Sequence, residues 1–183
     1  MNKRAIFYLC SLLLLVMGCA MATAVPVAWL MEDSPLVILR FFLSSLAVCA
    51  FASAVFFKTR RRKGEPEFKT GSREGFLSVF LSWMGAVVIG AIPFVVIGDM
   101  RGADAFFESA SGLTTTGASV IDSFTVLRSG DKLVGGLESL PSSLLYWRSL
   151  LNWLGGVGIV VFVLLVIISL GYGLVVCLTN CGQ

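Results

Sequence analysis

Histidine is absent from this chain, which removes the commonest acid–base catalyst and the commonest metal ligand. Charge is scarce as well. Asp, Glu, Lys and Arg make up 14% of the 183 residues, where soluble domains carry about 25%. With no grouped carboxylates in the apolar segments either, there is no catalytic set and an enzyme is not expected. The five cysteines, Cys10, Cys19, Cys49, Cys177 and Cys181, lie mostly inside apolar runs and read as small packing or lipid-facing residues. Cys177 and Cys181 stand four apart, but no further ligand pair completes a metal site. What is abundant is apolar surface. A hydrophobic fraction of 57% and a mean hydropathy of +0.91 point to an all-α integral membrane protein with the lipid bilayer as its first partner.

Long uncharged runs predict four transmembrane helices. Ala5 to Met31 lacks charge, follows Lys3 and Arg4, and exceeds the roughly 20 residues a span needs. A secretory signal peptide is the rival reading, with Val16–Cys19 as a faint cleavage site. The apolar run continues well past Cys19, however, whereas a signal core is about 7–15 residues long. Pro26 is expected to kink or end this helix. Leu36 to Phe57 forms the second span, with Arg40 near its start able to snorkel. Phe76 to Gly98, containing Trp83 and Pro93, forms the third, and Leu144 to Tyr172 the fourth.

Residues 58–75 between the second and third spans carry a basic run, Arg60-Arg61-Arg62-Lys63. It reads as a topology signal in contact with anionic head groups, and no nucleic acid is expected as a partner. With a cytoplasmic N-terminus, nine of the fourteen basic residues fall inside and eight of the eleven acids outside. The expected location is the bacterial inner membrane, multi-pass, with Asp99 to Arg148 on the outer side.

That outer segment contains Phe106 to Val120, FFESASGLTTTGASV. An amphipathic run ends at Gly112, three threonines follow, and Gly117 permits a backbone turn. The stretch is too rich in small hydroxyl residues to span. It reads as a helix over about Ala103 to Leu113 that enters the membrane part-way and returns as extended backbone, a form tolerated at that depth only when packed in protein or lining water. Backbone carbonyls there could replace the hydration shell of a cation. Thr114, Thr115 and Thr116 would stiffen an extended loop, Gly117 would supply a positive φ, and the helix C-terminus would favour positive charge. A Thr-rich surface turn is the plainer alternative. Glu108, in the short helix, is read either as an anchor for the loop or as a solvated charge at its mouth. Asp99 and Asp122 read as interfacial. Gly155, Gly156 and Gly158 read as a close-packing face, Trp147 and Trp153 as packing and interface residues, and Arg148 as an outer anchor.

At these residues the chain resembles the TrkH/KtrB superfamily of potassium uptake proteins. FFESASGLTTTGASV is similar to that family's first pore loop, and WRSLLNWLGGVGIVV, Trp147 to Val161, to the helix that follows it. The resemblance implies one helix–pore-loop–helix repeat of a potassium-channel-like fold. An N-terminal helix pair (1–57) and a cytoplasmic linker (58–75) precede the repeat at 76–172, and an atypical tail occupies 173–183. It implies potassium-binding positions at Thr114, Thr115, Thr116 and Gly117, with K+ held by the backbone carbonyls of Thr115 and Thr116, and support from Glu108, Ser109, Ser111 and Gly112. No cofactor is implied for this chain. A cytosolic nucleotide-binding regulatory subunit of the TrkA/KtrA type is the implied partner.

The resemblance reaches only the first third or so of the family's length, and one loop supplies one quarter of a filter ring. Together with a tail free of basic residues, this leads to the expectation of a truncated or frame-shifted transporter. The alternatives are a non-conducting membrane fragment or assembly subunit, and a homo-oligomer placing four copies of Thr114–Gly117 around one axis.

Overall fold

The computed structural model describes residues 3–60, 72–122, 125–130 and 135–160. These are helical, with no strand beyond an isolated bridge at Val126 among them. In order they form α1 (Lys3–Ala22), α2 (Ala24–Leu30), α3 (Pro35–Thr59), α4 (Ser72–Val96), α5 (Gly102–Leu113), a 3-10 turn (Gly136–Ser139) and α6 over 142–160. Three stretches, Ile6–Leu30, Pro35–Thr59 and Leu77–Val96, are long and apolar enough to cross a membrane. The fourth expected span begins in α6, and its part beyond residue 160 lies outside the described residues, as do Arg61, Arg62, Lys63, Cys177 and Cys181.

The first span is broken. Pro26 has no N–H for the Ala22 carbonyl, and its ring crowds that carbonyl. The chain answers with a one-residue interruption at Thr23, whose N–H and hydroxyl both bond to the Ala20 carbonyl. The break therefore sits one turn before the proline and divides the run into α1 and α2.

Small residues set the helix crossings. A Cβ on Gly18 would stand 2.6 Å from Cys49 Sγ, so α1 and α3 meet closely there, and one on Gly85 would stand 3.1 Å from Leu14, where α1 meets α4. Ser82 Oγ donates to Cys10 Sγ across the α1–α4 seam. Met17, Met21, Phe41, Val48, Val87 and Phe94 are buried, while Leu12, Leu13, Phe42, Leu43, Leu46 and Phe51 project outward. In water such a coat would be a liability, but in a bilayer it faces acyl chains.

Pro93 lies inside α4 and, by the same steric rule, loosens the turn around Ile89 and Gly90. The indole N–H of Trp147, a fully buried residue of α6, donates to the Gly90 carbonyl at 3.0 Å. After α4 the chain reverses at Asp99, which adopts φ 49°. Its main-chain carbonyl and carboxylate accept from the N–H groups of Arg128 and Ser129. Asp99 thus shapes the connection that follows instead of standing free in solvent.

Candidate functional site

α5 is 12 residues long, about 18 Å at 1.5 Å per residue, too short to cross a bilayer of about 30 Å. Its polar residues are turned inward. Glu108, Ser109, Ser111 and Gly112 are all buried, and each has a definite neighbour. Ser109 Oγ donates to the Val87 carbonyl of α4 at 2.8 Å, and Ser111 Oγ reaches the Ala118 carbonyl at 2.6 Å. A Cβ on Gly112 would approach Leu151 Cβ of α6 at 3.0 Å. The helix is therefore seated between α4 and α6, and Ser111 also ties it to the loop that leaves it.

The loop does not continue as extended backbone from the helix end, as the β-branched threonines led one to expect. Thr114 is the C-cap (φ −83°, ψ 1°) and Thr115 takes the left-handed φ of 58°. The Thr115 N–H bonds to the Gly112 carbonyl and the Thr116 N–H to the Ser111 carbonyl, each at 3.0 Å. This is a Schellman closure, in which satisfying the last helical carbonyls outweighs the β-branched preference of a single residue. Thr114 Oγ1 bonds to the Ala110 carbonyl and to Thr116 Oγ1, tightening the turn. Gly117 follows with φ 72°, the positive value expected of it. Residues 114–120 are exposed, and the carbonyls of Thr115 and Thr116 have no protein partner among the described residues.

The far side of the loop is fastened by one carboxylate. The Glu108 side chain is fully buried. Its Oε1 accepts from Ser119 Oγ at 2.6 Å and from the Val120 N–H at 2.8 Å, and its Oε2 accepts from Arg148 Nε at 2.9 Å. Arg148 Nη2 extends on to the Gly117 carbonyl at 3.4 Å. Glu108 is thus spent on the loop and on a counter-cation, and it is not a solvated mouth charge. The sequence reading missed Arg148 as its partner. A signal was present: a carboxylate on the inward face of a short apolar helix requires a cation. Of the five basic residues on that side, only Arg40 and Arg148 are embedded in apolar helix patterns, and Arg148 is the one in the helix that follows the loop.

The glycine row of α6 meets this unit edge-on. A Cβ on Gly155 would land inside the Leu113 carbonyl group at the end of α5, one on Gly156 would stand 3.8 Å from Thr115, and one on Gly158 would stand 3.4 Å from Trp83. Trp153 is exposed. Asp122 lies at the exit of the loop, where Thr125 Oγ1 accepts from its N–H and contacts its carboxylate. Among the described residues no group of three or more His, Cys, Asp or Glu side chains stands close enough to hold a metal ion.

The family model described as the TrkH cation transport protein matches residues 38–177. A Trk system potassium uptake protein TrkH from Vibrio parahaemolyticus is 36% identical over 176 residues, covering 94% of this chain and 32% of the relative. The TrkH protein of Salmonella typhimurium is 40% identical over 126 residues, covering 68% of this chain and 23% of the relative. The crystal structure of the potassium transporter TrkH from Vibrio parahaemolyticus superposes with a TM-score of 0.74 at 32% identity, covering 91% of this chain and 32% of that one. The chain thus spans from about a quarter to a third of the length of these relatives. On the family match and the shared helical fold, the chain belongs to the TrkH family of membrane cation transport proteins.

Proposed function

We propose that the chain serves potassium uptake and that Thr114–Gly117 is one quarter of a carbonyl-lined selectivity filter. The observation that carries this reading is the loop itself. Two alternate left-handed residues, Thr115 and Gly117, flank Thr116. The carbonyls of Thr115 and Thr116 have no protein partner among the described residues, while Glu108 and Arg148 hold Gly117, Ser119 and Val120 on the other side. A backbone that repeats every second residue can present oxygens to a dehydrated cation without a full charge in its path. Three more such loops, from the same polypeptide or from other copies, complete a ring.

In this reading α5 re-enters the membrane as a pore helix, residues 76–172 are one helix–pore-loop–helix repeat, and residues 1–57 are a helix pair that precedes it. The excess of basic residues in 58–75 and at the N-terminus supports a cytoplasmic position for those segments in an inner-membrane protein, with the filter mouth outside. A cytosolic nucleotide-binding subunit would dock on the inner face, and any nucleotide would bind to that subunit. Expression in cells deficient in potassium uptake tests the function. Growth at low external potassium is expected, and Gly117→Ala should weaken it. Absence of growth with the chain present in the membrane would contradict uptake by this chain.

A further inference from the structure

We propose that Asp33, in the turn between α2 and α3, is a positioning residue for loop 114–120, acting through α6. The start of α6 has no acceptor of its own. The residue before its first turn is Pro141, preceded by Leu140, and neither side chain can accept from the free N–H groups of the first turn. The cap comes instead from 109 and 110 residues away: the Ser142 N–H donates to Asp33 Oδ1 at 3.2 Å and the Ser143 N–H to Asp33 Oδ2 at 2.9 Å. A carboxylate against these N–H groups also complements the positive end of the helix dipole. Asp33 is fixed in turn, because its own N–H bonds to the Ala28 carbonyl at 3.0 Å and Glu32 beside it adopts φ 54°.

Two more contacts join the same hairpin to the rest. Arg40 Nη1 of α3 donates to the Val96 carbonyl at the C-terminal end of α4 at 3.0 Å, and Thr23 Oγ1 lies 3.1 Å from the Tyr146 hydroxyl of α6. The hairpin therefore grips α4 at its end and α6 at its beginning. Less than two turns after Ser143, α6 delivers Arg148 to Glu108 and to the Gly117 carbonyl. A shift of the α6 start moves that guanidinium, and with it the loop that Glu108 secures. The helix pair outside the repeat is thereby a brace for the loop.

The importance of the brace rests on the filter reading above, but its test requires neither ion nor transport. Hydrogen exchange would be followed on the full chain in lipid nanodiscs, at amides 142–145 and at Thr116 and Val120. Asp33→Ala is expected to speed exchange about fivefold at the helix start, the scale of a lost cap, and to speed it at Thr116 and Val120 too. In an Arg148→Gln background, Asp33→Ala should add nothing further at the loop. Should Asp33→Ala fail to fold, Asp33→Asn keeps one acceptor and is expected to give the same pattern at smaller amplitude. Faster exchange confined to 142–145, in either Asp33 variant, would overturn the proposal. Potassium protection of the loop in the unaltered chain is read separately; its absence would remove the ion while leaving the coupling to Asp33 intact.

Discussion

Replacing Glu108 with glutamine removes one charge at nearly constant shape, and the structure says what that should cost. The carboxylate accepts three hydrogen bonds, from Ser119, Val120 and Arg148. An amide oxygen can still serve Ser119 and Val120, but the amide nitrogen is then directed at the guanidinium, donor against donor. Removing one partner of a buried pair costs about 3–5 kcal/mol. The Arg148 side chain keeps 24% exposure while Glu108 keeps none, so water screens part of the loss, and a charged hydrogen bond of about 1.5–3 kcal/mol sets the lower scale. The expected destabilisation is about 2–4 kcal/mol, measured by denaturant titration of the helical signal in mixed micelles. Arg148→Gln should cost a similar amount by stranding the carboxylate. The double variant should cost clearly less than the sum, because neither charge is then left alone. Strict additivity of the two, or an unchanged transition for Glu108→Gln, would refute the assignment of this pair as the loop's fastening.

Gly155→Ala should be poorly tolerated, because its Cβ meets the Leu113 backbone, and should cost about 1–3 kcal/mol by overpacking. Gly158→Ala, with ordinary contact to Trp83, should lie close to the unaltered protein in the same titration. Thr115→Gly should stabilise the fold by about 1 kcal/mol through relief of a β-branched residue at positive φ, whereas Gly117→Ala should destabilise it by a similar amount.

Apolar runs and their breaks made the helices legible: α3, α4 and α5 begin and end within a few residues of where charge, proline and glycine placed them. The Thr23 interruption was less legible, since Pro26 marks a break but the strain falls on the preceding turn. The positive φ at Gly117 followed from residue type. That at Thr115 did not, because Schellman closure is a property of the helix end and overrides the preference of the residue occupying it. Long-range pairings were hidden for a different reason. Arg148 with Glu108, Asp33 with Ser142 and Ser143, and Trp147 with Gly90 join residues 40 to 110 positions apart. Periodicity describes one helix at a time and cannot report which helices become neighbours.

The filter role of the loop is tested most directly when the loop is isolated from the question of what completes the ring. Residues 76–160 would be grafted in place of the matching segment of a full-length TrkH relative, and rubidium influx followed in reconstituted vesicles. Influx that potassium competes away and sodium does not is expected, with that preference weakened by Gly117→Ala in the graft. Influx with equal competition by sodium, or a preference indifferent to Gly117, would contradict it.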